Sequence, residues 1–337
     1  LLNKQEIIYR EIDLEKLELY FNFKNLNNYK NFYKKRIQTK SINIKKSKIK
    51  FYDDDQYITS INNLTFSFRS RKNLTKSNLD GDFLGDKIHV KLENNIVDKK
   101  NSQFILLKFF KSGFFVKANM LNPILEKNVT EGNILLKKDK NRLTSTFDYK
   151  DGKINVKNAT LKNPFMDGKM SGIIEFLPYF DFNLNLELNR LNFNRVHNFL
   201  ASLEKENKKK LFRFNKKING KLSFSSNKVL SKYDLVNSFE SRVKFINGDL
   251  LVEQLLLNLG KMGAADIVGL IKNDEKYLNF KFEKNIFIDN DKYFFSKFGV
   301  FNRKNLSSFL FLSGNFDLIN LKMRFNEISH HEKLKEE

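Results

Sequence analysis

The sequence predicts a mainly β protein, a long antiparallel sheet with one or two short helices. Three observations predict it. Phe182 to Asn189 alternates apolar and polar residues without an error, the period of a strand whose successive side chains leave on opposite sides. The same two-residue beat returns at Leu17–Phe23, Leu64–Phe68, Ile88–Leu92, Leu278–Phe282 and Leu321–Phe325. Only three prolines (Pro123, Pro164 and Pro178) interrupt the chain, which suits long strands, where Pro is disfavoured.

The elements follow in order. Leu14, Leu17, Leu19, Phe21 and Phe23 make a turn of ambiguous period followed by a strand. The basic stretch from Lys34 to Lys50 stays strand-like through Ile42, Ile44 and Ile49. Beyond it the strands are punctuated by Asp80-Gly81, Asp151-Gly152, Asp167-Gly168, Asn219-Gly220 and Asn247-Gly248. These pairs supply the positive φ of tight hairpins, so each is a hairpin candidate in an antiparallel meander. One segment breaks the pattern. Val196, Phe199, Leu200 and Leu203 recur at helical spacing behind a possible N-cap, Asn194, predicting a short helix near 194–207. The charged run Glu204–Lys210 then reads as a solvated helix end or loop. A boundary is placed near residue 210, between a β-rich segment 1–210 and a second, 211–337, with a polar C-terminal tail.

The formal charge of +22 invites a nucleic-acid reading. Joint enrichment in Lys, Asn, Ile and Phe, with no Trp or Cys, points instead to AT-rich coding, under which Lys is the readily supplied polar residue. Attraction to anionic lipid surfaces, at about 1 kcal/mol per basic residue, is the second source. A stacking platform for single strands needs aromatics among the lysines, whereas Leu278, Phe280 and Phe282 share one apolar phase; no nucleic-acid partner is expected. The absence of Cys removes disulfides and thiolate metal sites. No run of about 18 apolar residues could span a bilayer as a helix. The chain begins Leu1-Leu2-Asn3 and reads as a piece of a longer protein, with an anchoring helix expected outside it.

Signals of chemistry are weak. Gly260–Gly269 is Gly-rich, but Met262 follows Lys261 where a phosphate loop needs Ser or Thr; a hairpin turn between Leu255–Leu259 and Ile267–Ile271 is expected. Asp53-Asp54-Asp55 lacks the register of a calcium loop and reads as a turn cap. His89, His197, His330 and His331 have no partners at metal spacing, and no Gly-x-Ser-x-Gly elbow occurs. No enzyme activity, metal or cofactor is expected.

Residues 150–270 carry a further pattern. Gly152–Leu161 is followed by Asp167–Phe176, then by the strand Phe182–Leu188 running into Leu191–Val196; later come Ile218–Phe224, Ser241–Leu250 and Asp266–Leu270. Upstream, Ile42–Asp53 and Asn62–Phe68 are similar units. The pattern resembles the AsmA-like family of bacterial envelope proteins, with its Gly-x-apolar-x-Gly step and its strand ending in a Leu-Asn-apolar-Asn-Arg turn, over roughly residues 40–325. The resemblance implies a periplasmic, inner-membrane-anchored, bridge-type lipid-transfer protein. Its long curved antiparallel sheet would form an apolar groove along which phospholipids pass between inner and outer membranes, supporting outer-membrane assembly. This chain departs from the family in lacking the anchoring helix and in being unusually basic. The expected partners are phospholipids, the two membranes and other envelope proteins.

Physical chemistry agrees. A strand of about nine residues spans roughly 30 Å, and each buried methylene contributes about 0.8 kcal/mol, so an acyl chain needs no single binding residue. The expected groove lining is Phe182, Leu184, Leu186, Leu188, Leu222, Phe224, Phe280 and Phe282. The alternative is an envelope interaction protein in which these residues pack a closed sandwich core and a partner docks at a sheet edge.

Overall fold

The computed structural model describes residues 10–25, 40–97, 100–123, 129–175, 180–214, 216–273, 278–301 and 308–332. Lys34, Lys35, Arg36 and Pro178 lie outside them. The fold is mainly β, in two compact units, Leu1–Lys150 and Asp151–Glu337.

In the first unit, β1 (Glu11–Glu15), β2 (Glu18–Asn22) and β3 (Ser41–Asp53) open the chain. The meander continues through β4 (Gln56–Arg71), β5 (Leu74–Phe83), β6 (Asp86–Val97) and β7 (Lys100–Phe109). It closes with β8 (Phe115–Pro123), β9 (Thr130–Lys138) and β10 (Asn141–Lys150). From β3 onward each strand pairs antiparallel with the next. β1 and β2 instead lie parallel against β3, one beside its first half and one beside its second. At the break between them the Leu17 N–H donates to Ser47 Oγ over 2.9 Å. The apolar phase gathers around buried Ile61, Leu64 and Ile88, with Ile49, Phe51, Leu79, Val90 and Phe109 packed against them.

The second unit starts with β11 (Lys153–Lys162), β12 (Met166–Glu175) and β13 (Asp181–Asn192). Two helices follow, α1 (Phe193–Ser202) and α2 (Lys205–Phe212). Then come β14 (Gly220–Ser226), β15 (Val229–Leu230), β16 (Ser238–Ile246), β17 (Asp249–Asn258), β18 (Gly263–Ile271) and β19 (Asn279–Ile288). After α3 (Asp291–Ser296), β20 (Ser308–Asp317) and β21 (Lys322–Glu332) finish the sheet.

Several expectations change. The sheets are mixed rather than antiparallel throughout, because β14 and β15 both run parallel to β13. Parallel neighbours need a crossover, and residues 193–219, with α1 and α2, supply it. The segment near residue 210 is therefore internal to the second unit, and the division between units falls at Lys150/Asp151. There are three α-helices among the described residues, since Glu204–Lys210 lies mostly in α2 and Asp291–Ser296 is helical. The cap of α1 is Asn192, whose side chain accepts from the Arg195 N–H at 3.0 Å; Asn194 instead accepts from the Lys232 N–H.

Of the five Asx-Gly pairs, Asp151-Gly152 and Asn247-Gly248 are tight turns with positive φ at both residues. Gly81 and Gly168 sit inside β5 and β12 opposite Ile88 and Leu188. Asn219-Gly220 enters β14 from the crossover. Gly260–Met262 is a 3₁₀ turn joining β17 and β18, as expected of a hairpin.

Candidate functional site

All eight residues expected to line a groove lie on one phase of the second unit's sheet, and the register lets that phase be followed strand by strand. Leu184 stands opposite Leu222 and Leu186 opposite Phe224. From Leu222 the row runs through Val243 and Val252 to Gly269, then to Phe282, Gly314 and Phe325. From Phe224 a second row runs through Ser241, Leu255 and Ile267 to Lys284, Leu312 and Ile328. Phe280 lies one row outward, between Ile271 and Phe316. Leu188 lies one row outward on the other side, two residues beyond Leu186. Bulges in the β16–β17–β18 pairings leave the apolar side chains facing one another across each step.

The opposite phase is wet. Asn183, Asn185 and Glu187 on β13 continue into Lys221, Ser223 and Ser225 on β14. Further along, Lys281, Lys322 and Arg324 border a hollow of about 810 Å³ together with Asn279, Asn315, Asp317 and Asn320. Asp317 is occupied by its own turn, accepting from the Ile319 and Asn320 N–H groups. Burial works against its charge, but those donors hold its carboxyl below the usual range.

Both margins of the apolar face are roofed. At one, Phe212 of α2 packs with Leu250, Ile271, Phe280, Phe316 and Leu318, and buried Lys208 reaches across to donate to the Ile319 carbonyl at 3.1 Å. Phe214 adds an edge-on contact to Phe245, centroids 5.1 Å apart. At the other margin, Phe294 of α3 packs with Leu259, Met262, Ala265, Ile286 and Ile288. The two central rows lie between these roofs. Leu184, Leu186, Leu222 and Phe224 are half-buried, and on the last strand Met323, Phe325 and Ile328 are 52%, 47% and 60% exposed. Leu188 and Phe282 are buried by their surroundings. The face extends over nine strands from β12 to β21, β15 aside; at about 4.8 Å per step that is roughly 38 Å across the strands.

Polar groups on this phase are few, and the sequence reading missed them. Lys284 is flanked by Ile267 and Leu312, and burial among them holds its ammonium below the ordinary lysine range. Its signal was its place in Phe280-Phe282-Lys284-Ile286-Ile288, where a cation takes an apolar position. Near the α3 roof, buried Asp291 accepts from the Ser308 hydroxyl and lies 4.0 Å from His330 Nε2. The hydroxyl is tied to the carboxylate rather than to the imidazole, the reverse of the order that activates a serine nucleophile.

Elsewhere, His89 Nδ1 pairs with Asp80 at 2.8 Å, and His197 and His331 are exposed. Asp54 turns at positive φ and pairs with Lys24. Among the described residues no cluster of His, Asp and Glu could hold a metal ion, and no helix is long and apolar enough to cross a membrane. No family model, curated protein or solved structure matches the chain.

Proposed function

We propose that the apolar face of the second unit binds phospholipid acyl chains, and that the chain is a periplasmic segment of an AsmA-like envelope protein moving phospholipids between inner and outer membranes. One observation carries the reading: two central rows of the sheet carry apolar side chains at every position but Ser241, Gly269, Lys284 and Gly314, are mostly half-buried with Val252 and Phe282 buried among them, and end beside exposed Met323, Phe325 and Ile328. An apolar surface of this continuity is a binding surface. The rows run across the strands, so successive positions look alike to an acyl chain. Each methylene removed from water is worth about 0.8 kcal/mol, and movement along such a strip needs no bond-making step.

The test is lipid capture. The folded protein, expressed in bacteria, should co-purify with phospholipid detectable by mass spectrometry of an organic extract. A Leu184→Asp/Leu186→Asp double variant should lose that lipid and keep its β circular dichroism. A folded wild-type protein that carries no lipid and takes none from vesicles sinks the proposal. The exposed residues of β21 equally suit an envelope protein that docks a further β layer, and that result would favour this second reading.

A further inference from the structure

Lys284 is out of keeping with its surroundings. Phe280, Phe282, Ile286 and Ile288 share its phase of β19, Ile267 and Leu312 flank it on the neighbouring strands, and the row ends in exposed Ile328. Among the described residues its ammonium has no hydrogen-bond or ion-pair partner, and burial disfavours its charged form. At the α3 roof, Asp291 accepts from Ser308 and lies 4.0 Å from His330 Nε2. Glu283 and Lys281 point to the opposite phase. A half-buried, unpaired cation costs free energy, and an anion arriving on an apolar tail would relieve that cost.

We propose that Lys284 is the anion anchor of the apolar face and that its ligand is a long-chain fatty acid, with the carboxylate on Nζ and the chain along the two central rows. This rests on the acyl-binding reading above and adds the head-group chemistry to it. The match is one of charge and of donor count. A lysine ammonium offers three donors and no acceptor, and a carboxylate offers acceptors only. A zwitterionic head group would bring a second cation among Phe282, Ile286, Ile267 and Leu312, the apolar neighbours of Lys284 in the register.

The experiment is calorimetric titration of the 337-residue chain with oleate and with oleyl alcohol, for wild type, Lys284→Met and Lys284→Arg. Wild type should bind oleate about tenfold or more tightly than the alcohol, the size of a hydrogen bond to a charged group. Lys284→Met should make the two ligands equal by weakening oleate alone, and Lys284→Arg should keep the preference. Equal affinities in wild type, or a preference that survives in Lys284→Met, overturn the anchor and leave the acyl-binding face standing. A folded wild type that binds none of oleate, oleyl alcohol and phospholipid overturns both.

Discussion

Leu184 and Leu188 sit four residues apart on the same phase of β13, yet they do different work. Leu188 is 1% exposed and fits against Gly168, where a Cβ would lie 2.8 Å from its Cδ2. Leu188→Ala should therefore cost about 2–5 kcal/mol in chemical denaturation. Half-buried Leu184 should cost clearly less when truncated, and similar losses at both would contradict an open face. Lys284 makes a prediction in pH. Its folded pKa lies below the unfolded value, so between the two the unfolded chain holds more protons and stability rises with pH, levelling off above about 10.4. Lys284→Met should be more stable than wild type at neutral pH and lack this alkaline gain; identical pH profiles would refute the assignment. At Asp86 the sign is opposite. Burial raises its pKa, but the Lys111 and Ser112 N–H groups outweigh that and hold it low. Its contribution is present above the unfolded pKa and should fade as pH falls through the folded one, a loss absent in Asp86→Asn. That the expected lining residues share one phase was readable from alternation alone. Lys284 was legible only as a cation at an apolar position of the Phe280–Ile288 alternation; the register was needed to place it between Ile267 and Leu312.

Elements show where sequence rules stop. Asx-Gly signals turns because it relieves positive φ, and that logic holds at Gly152 and Gly248. It fails at Gly168, whose glycine is required by a neighbour distant in sequence: a Cβ there would stand 2.3 Å from the Glu187 carbonyl oxygen. Gly168→Ala should lower stability by about 1–3 kcal/mol, whereas a change confined to a turn would be milder. The helix over 193–202 was visible in its spacing, but its cap was misplaced by two residues because Asn192 and Asn194 are equally good acceptors by type. Asn192→Ala should cost about 1 kcal/mol, and the same change at Asn194 should leave helix content untouched. The crossover was invisible, since nothing local distinguishes a strand that pairs in parallel from one that pairs antiparallel.

At the scale of the molecule, nearly every strand contacts only its immediate neighbours in the ladder. Stability in such an array is a sum of local and nearest-neighbour contributions, and the chain divides into two compact units. Denaturation followed by tyrosine fluorescence and by far-ultraviolet dichroism should give transitions that do not coincide; one shared two-state transition would contradict this. Composition told the class of fold but not the division at Lys150, which depends on contacts rather than on any change in residue type. The strands at the start of the chain carry a further consequence. β1 and β2 are five residues each, carry Glu11, Asp13, Glu15 and Glu18, and are broken at Lys16, where φ is +57°. A margin so short, acidic and interrupted is a poor template for fibril growth. Concentrated solutions should therefore self-associate through the Met323–Ile328 side, and acidic residues placed there should keep the protein monodisperse.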